Sequence, residues 1–387
     1  MRQPDLILNG WELHHGTCGI TVYLRLLIQA LERPPQSLDW RLALPRPLAR
    51  LGGFVPPERL LLVDGKDVQG YLARNLYWNY RLARHVRRNY PDSVFHSIYH
   101  FWAPLPPRKL LLTIHDCIEE TEPSVRLRNF QHRLHRWLCH RTARRARRVI
   151  AISNWTKSQV VAHYGIKPGK IDVLYNWVRP ACQKPVSPAE IAAVRERYKL
   201  PERYIAYVGG YRAYKNVEFL INAWHLAKTR QPIPSLVLAG QIPRETENGY
   251  YCDIQGALNR LGGDALDVVR PGLIADDDLP AFYAGAALFV SPSRLEGFGY
   301  PAVEAMASGV PTLVSDASVY PELIEEGHLR FPLENPELLA ERILAALTDP
   351  HRFLRALDPR FTEAAGKIRY EQIVRSLAEV SGKQAPA

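Results

Sequence analysis

The chain has 387 residues, 47% of them hydrophobic and 23% charged, which is ordinary for a globular protein and long enough for two α/β domains. Its formal net charge of +11 predicts a surface that attracts anions, whether nucleic acid, anionic lipid or an anionic substrate. No apolar run approaches the roughly 18 residues a membrane span needs, and no charged segment followed by an apolar one opens the chain, so the reading is a soluble, cytoplasmic protein. The five cysteines, Cys18, Cys117, Cys139, Cys182 and Cys252, are odd in number and scattered without a CxxC. That excludes a disulfide framework or a structural zinc site and predicts reduced, mostly buried thiols.

Residues 6–8 read as a first strand. A loop with Gly10, Gly16 and Gly19 follows. Ile20, Tyr23, Leu24, Leu27, Ile28 and Leu31 then recur at three and four, which predicts an amphipathic helix. Strand, glycine loop and helix suit close approach to a phosphate or sugar. Residues 34–65 show no clear period. Residues 71–90 read as a surface helix whose arginines lie along apolar surface.

Residues 110–114 read as a buried strand with His115 and Asp116 at its end. No second His or Cys stands at ligand spacing, so no metal is expected there. Between Glu122 and Asp172 there is no acidic residue, and arginines crowd 126–148. Leu127, Phe130, Leu134, Trp137 and Leu138 mark one side of a helix and are assigned to the core. The arginines beside them are either solvated or directed at an anionic bilayer. A strand at 149–152, a helix at 155–164 capped by Ser153 and Asn154, and a strand at 171–174 complete this half. Residues 179–202, with a charged helix at 188–198, read as a link.

The second half opens with a strand at 204–208 that runs into Gly209, Gly210 and Arg212, then Lys215 at a helix start. Strand, glycines and a lysine at a helix N-terminus make a phosphate site. Strands follow at 235–239 and 268–272, with Leu273 just beyond. The run Asp276-Asp277-Asp278 reads as an N-cap at Asp276 with first-turn charge, not as a metal motif.

The most informative stretch is 288–324. A strand at 287–290 breaks at Ser291-Pro292-Ser293 and enters the loop Glu296-Gly297-Phe298-Gly299. A helix at 301–307, with Pro301 at its first position, ends at Ser308-Gly309, and a strand at 310–314 follows. Exposed N–H groups and the positive helix end favour a phosphate. Glu296 and Glu304 stand with seven residues between them. Carboxylates repel phosphate, so they are assigned to hydroxyls. A phosphate cradle with two hydroxyl acceptors suits a sugar nucleotide. Helices at 336–347 and 362–380 close the chain.

The pattern Glu296-Gly297-Phe298-Gly299, Pro301, Glu304-Ala305-Met306-Ala307, Gly309, Pro311 and then Pro321-Glu322 resembles the signature of the retaining family-4 glycosyltransferases, and Tyr207-Val208-Gly209-Gly210 with Lys215-Asn216 resembles their mannosyltransferase-like branch. The resemblance implies a GT-B fold, two Rossmann-like α/β domains facing a central cleft. The N-terminal, acceptor-side domain would span 1–178 with the segment 362–387 crossing back, and the nucleotide-sugar domain 179–361. It implies catalytic roles for Glu296 on the donor sugar, His115 beside that sugar and Lys215 on the leaving diphosphate. Donor binding would fall to Gly297, Phe298, Gly299, Glu304 at the ribose, Gly209, Gly210, Arg212, Leu273 by the base, and Gly16 and Gly19. Family members place an Arg five residues before the Lys; here Gly210 stands there, and Arg212 is the nearest substitute.

The implied activity is transfer of a hexosyl residue, mannose from GDP-mannose as first choice, with retention, to a glycan or lipid-linked acceptor in polysaccharide or lipopolysaccharide synthesis. The expected partners are a nucleotide-sugar donor, that acceptor and an anionic membrane surface at the inner face of the cell membrane. No metal, no other cofactor and no nucleic acid are expected. The alternatives are a GT-B sugar-nucleotide epimerase and a basic nucleic-acid-binding protein, which no recognised motif supports.

Overall fold

The structure, a computed structural model, describes residues 3–15, 18–66, 68–69, 71–99, 101–122, 130–241 and 251–379. The chain divides into two compact units. The first comprises residues 1–121, 126–177 and 363–387, and the second 122–125 and 178–362.

The first unit holds seven strands: β1 (Leu6–Asn9), β2 (Trp40–Pro45), β3 (Leu60–Val63), β4 (Val94–Ser97), β5 (Leu110–Ile114), β6 (Arg148–Ala151) and β7 (Ile171–Val173). All pair in parallel in the order β3-β2-β1-β4-β5-β6-β7. The stretch 34–65, without period in the sequence, supplies β2 and β3. Strand β2 is almost wholly buried, and a parallel strand covered on both faces has no polar face to create an alternation. The C-terminal helix Glu363–Glu379 belongs to this unit. Its Tyr370 hydroxyl meets Nδ1 of His96 at 2.8 Å, and Nε2 of His96 meets Oγ1 of Thr113 at 2.8 Å. Burial depresses the His96 imidazole to about 3, so the ring stays neutral between these two hydroxyls.

The helix Phe130–Arg145 departs from the sequence reading. Leu134 and Trp137, assigned to the core, are 38% and 52% exposed. The buried positions are the smaller Cys139, Thr142 and Ala143. The helix therefore seats on its small residues and turns its large apolar ones outward, among arginines. The Arg141 guanidinium lies 4.8 Å over the Trp137 ring, a cation–π contact. The side chains of Leu127 and Phe130 lie outside the described residues.

The second unit holds six strands: β8 (Tyr204–Val208), β9 (Ser235–Ala239), β10 (Val268–Gly272), β11 (Leu288–Ser291), β12 (Thr312–Ser315) and β13 (Arg330–Phe331). They are parallel, in the order β10-β9-β8-β11-β12-β13. Strand order reverses between β8 and β11, and ligands of open parallel sheets bind outside the carboxyl ends of the strands at such a switch point. The loops leaving β8 and β11 are those that carry Lys215 and Glu296.

Two local assignments change. Asp276 is not an N-cap: the helix Leu279–Ala284 starts after Asp278, and Asp276 pairs with Arg179 instead. Lys215 is not at a helix start either. It ends a short 3-10 turn, Ala213–Lys215, and Asn216 in the left-handed region separates it from the helix Val217–Arg230.

Candidate active site

The loop after β11 is anchored from both sides. The Arg294 N–H donates to the Tyr214 carbonyl at 2.7 Å, which ties it to the loop after β8. The Glu296 N–H donates to Ser318 Oγ at 3.1 Å. These contacts bring Lys215 Nζ to 2.6 Å from Glu296 Oε1, with both side chains largely covered. Gly299 follows with φ +77° and caps the helix Tyr300–Ala307. A Cβ there would sit 2.7 Å from the Tyr320 ring, whose hydroxyl meets Ser291 Oγ at 2.7 Å. Only glycine combines that φ with that approach. Gly299→Ala is expected to cost about 1–3 kcal/mol of stability, read as a lower urea midpoint with unchanged slope. An unchanged midpoint would show that this loop is not built on Gly299.

Gly297 and Gly299 put no side chain over the loop backbone beside the helix start, although both residues are buried, and the Phe298 side chain packs into the protein. It is buried, edge-on to Phe361 at 5.4 Å and to Tyr300 at 5.3 Å. Phe298 can contribute only its backbone. Gly209 spends its N–H on the Ala239 carbonyl at 2.9 Å, extending the β8–β9 pairing. Its role is therefore steric rather than as a phosphate donor. The Gly210 carbonyl accepts from Tyr207 at 2.6 Å. The Arg212 guanidinium stacks over Tyr251 at 5.5 Å, although the Arg212 carbonyl accepts from the Lys215 N–H at 2.8 Å. Leu273 is 61% exposed just past β10, an apolar surface on which a base can lie.

Glu304 occupies the first turns of the helix Tyr300–Ala307 and is 1% exposed. Arg179 Nη1 donates to its Oε1, and the Tyr283 hydroxyl donates to Oε2 at 3.2 Å. Burial keeps Tyr283 protonated and hence a donor. Arg179 Nη2 reaches Asp276 Oδ1 at 3.0 Å. Burial raises the Glu304 carboxyl above the ordinary carboxylate range, and the Arg179 guanidinium opposes that rise. No sequence pattern singles out Arg179 or Tyr283, and the acidic run marks Asp276 only as an N-cap; their contact is created by the fold.

His115 and Gly19 belong to the first unit. His115 is buried, with Nε2 2.8 Å from the Ile98 carbonyl and its ring edge-on to Tyr23 at 4.9 Å. Gly19 opens the exposed start of the helix Gly19–Glu32. Gly16 lies outside the described residues. Among the described residues, no group of three or more His, Cys, Asp or Glu is arranged to hold a metal ion.

Two family profiles match the chain: "Glycosyl transferases group 1" over residues 191–367 and "Glycosyltransferase Family 4" over 18–181. "O-antigen chain mannosyltransferase B" of Escherichia coli is 29% identical over 272 residues, 68% of this chain and 67% of that protein. "Mannosylfructose-phosphate synthase" of Agrobacterium fabrum is 32% identical over 169 residues, 43% of this chain but only 37% of that protein. Among solved structures, HepE of Anabaena in complex with UDP and glucose superposes with TM-score 0.65 at 19% identity, covering 98% of this chain and all of that one. WaaG, a glycosyltransferase involved in lipopolysaccharide biosynthesis, gives TM-score 0.64 at 15% identity over 98% of this chain and 100% of that one. The fold is GT-B, two parallel-sheet α/β domains. The chain belongs to glycosyltransferase family 4.

Proposed function

We propose that the protein transfers a hexosyl residue from a nucleotide sugar to a glycan acceptor, with retention at the anomeric carbon. The observation that carries this reading is the Lys215–Glu296 pair, 2.6 Å apart at the sheet's switch point. Two opposite charges beside a glycine loop and a helix start are what a sugar diphosphate needs. Its phosphates replace Glu296 as the partner of Lys215, and its sugar hydroxyls replace Lys215 as the partner of Glu296. Lys215 and the backbone amides at 297–299 then stabilise the charge that develops on the departing diphosphate. The reacting sugar passes through an oxocarbenium-like state, as in glycoside hydrolysis. The leaving phosphate takes the acceptor's proton, so no separate base is required. Glu304 accepts from the ribose, Leu273 lies by the base, and His115 lies by the donor sugar.

Mannose from GDP-mannose is the first choice of donor, supported by a relative named as an O-antigen chain mannosyltransferase. UDP-sugars stay in the comparison because a structural neighbour was solved with UDP and glucose. The O-antigen relative and the neighbour involved in lipopolysaccharide biosynthesis support an acceptor in polysaccharide or lipopolysaccharide synthesis, and a lipid-linked one is our choice. A panel of nucleotide sugars and free nucleotides in a thermal-shift assay tests the donor. A ligand at about 100 times its Kd stabilises the native state by about 2.7 kcal/mol. No shift with any nucleoside diphosphate would remove the reading. The epimerase alternative is separated by its product, an isomerised nucleotide sugar made without acceptor.

A lipid-linked acceptor places the enzyme at the inner face of the membrane. No helix among the described residues is long and apolar enough to cross one. The helix Phe130–Arg145 supplies a surface contact instead, with exposed Arg133, Arg141 and Trp137 on it and Arg147 just beyond. Each basic residue near an anionic surface contributes about 1 kcal/mol, and a tryptophan favours the headgroup level. Arg144 and Arg145 are left out of the test because they hold the Tyr164 and Pro104 carbonyls. Changing Arg133, Arg141 and Arg147 to Gln is expected to reduce co-sedimentation with phosphatidylserine vesicles by ten-fold or more, about 1.4 kcal/mol, and to spare nucleotide binding. Equal binding of the wild type to neutral and anionic vesicles would return these arginines to a solvated surface.

A further inference from the structure

We infer that Arg179 is a positioning residue for nucleotide recognition: it keeps Glu304 ionised and aimed, and ties it to the loop that carries Leu273. The inference rests on the proposal that Glu304 accepts hydrogen bonds from the ribose.

A protonated acid spends one oxygen as a donor and accepts more weakly at the other, whereas a carboxylate accepts strongly at both. Glu304 is in the wrong surroundings for that. It is 1% exposed, and burial draws its carboxyl toward the neutral form. Four titratable or charged groups face it. Asp276 favours the neutral acid, the Tyr283 hydroxyl donates to Oε2, and burial keeps Cys182 a neutral thiol. Arg179 is the one cation among them, and it bonds Oε1 directly. Arginine holds its charge at any working pH, and its planar fork sets direction as well as charge.

The second arm of the fork matters as much. Arg179 Nη2 holds Asp276 at 3.0 Å. Asp276 lies three residues beyond Leu273, on the segment leaving β10. One guanidinium thus joins the helix that bears the ribose acceptor to the loop proposed to flank the base. Lysine carries its donors on one atom without the planar fork, so it is not preorganised to hold both carboxylates. The Arg179 side chain is itself only 15% exposed, so the link is fixed by packing rather than fluctuating in solvent.

The test is a calorimetric cycle with the diphosphate that the wild type binds, GDP or UDP, and its 2′,3′-dideoxy counterpart. The wild type should prefer the ribonucleotide by at least ten-fold, and Glu304→Gln should abolish the preference. Arg179→Met should also abolish it, with the preference returning as the pH is raised and Glu304 regains its charge, while the wild-type preference stays flat. Arg179→Lys should recover the flat pH profile and only part of the preference. In the Glu304→Gln background Arg179→Met should change nothing further, and this double variant leaves no unpaired buried charge if the single one folds poorly. Full preference with a flat profile in Arg179→Met, or a further loss in the Glu304→Gln background, overturns the inference while leaving Glu304 at the ribose. A wild type without preference, or Glu304→Gln that retains it, instead removes Glu304 from the ribose and the inference with it.

Discussion

Replacing Glu296 with Gln is expected to slow sugar transfer by at least about 10²-fold while leaving the fold intact. The side chain keeps its size, so packing is unchanged. What is lost is the negative charge placed against a donor sugar that turns positive as its bond to the diphosphate breaks. That interaction strengthens in the transition state, so the loss belongs in kcat rather than in KM. The Glu296 N–H to Ser318 bond is a backbone contact and survives the change. Steady-state rates with urea unfolding as the control measure this. Near wild-type turnover in the folded variant would take Glu296 out of the reaction.

Lys215→Ala is expected to weaken nucleoside diphosphate binding by roughly ten- to hundred-fold, the range of a hydrogen bond to a charged group at about 1.5–3 kcal/mol. Turnover should fall as well. Two effects add in the same direction: the phosphate loses its cation, and Glu296, 2.6 Å from the lost ammonium, is left as an unpaired anion beside the phosphate. Lys215→Ala should therefore cost more than the lysine's own contact, and Glu296→Gln in the same chain should restore part of the affinity. Calorimetry with GDP and UDP decides this. Unchanged affinity in Lys215→Ala would sink its role at the diphosphate. Affinity for a bare nucleoside should not change in either variant.

Much of the second unit is legible in the sequence because its strands are short apolar runs bounded by glycine. Strands β8, β9 and β10 fall at 204–208, 235–239 and 268–272, each followed by a loop glycine or leading into one. The loop from Glu296 to Gly299 is legible for a different reason: its glycine spacing and the two carboxylates are local. What is not local is not legible. Arg179 and Glu304 are 125 residues apart, and no pattern in either neighbourhood announces the other. The pairing of Lys215 with Glu296 is likewise a product of sheet order, which sets β8 beside β11. Strand β2 escapes the reading because burial on both faces erases period two, and the half-buried edge strand β3 is four apolar residues in a row with no alternation to read. The helix Phe130–Arg145 misleads for the opposite reason. Its large apolar residues do recur on one side, but the packed side is the one bearing Cys139, Thr142 and Ala143, where small residues let the helix sit close to its neighbours. Periodicity locates a stripe; it does not say whether the stripe faces the core or a surface.

The central claim is transfer of a sugar with retention, and the product tests it most directly. The protein is incubated with GDP-mannose and a lipid-linked glycan extract, with UDP-sugars run in parallel, and the anomeric proton of any new linkage is read by NMR. The account predicts a new glycosidic bond with the donor's own anomeric configuration and one nucleoside diphosphate released per bond. A linkage of inverted configuration, or an isomerised nucleotide sugar formed without transfer, would contradict it.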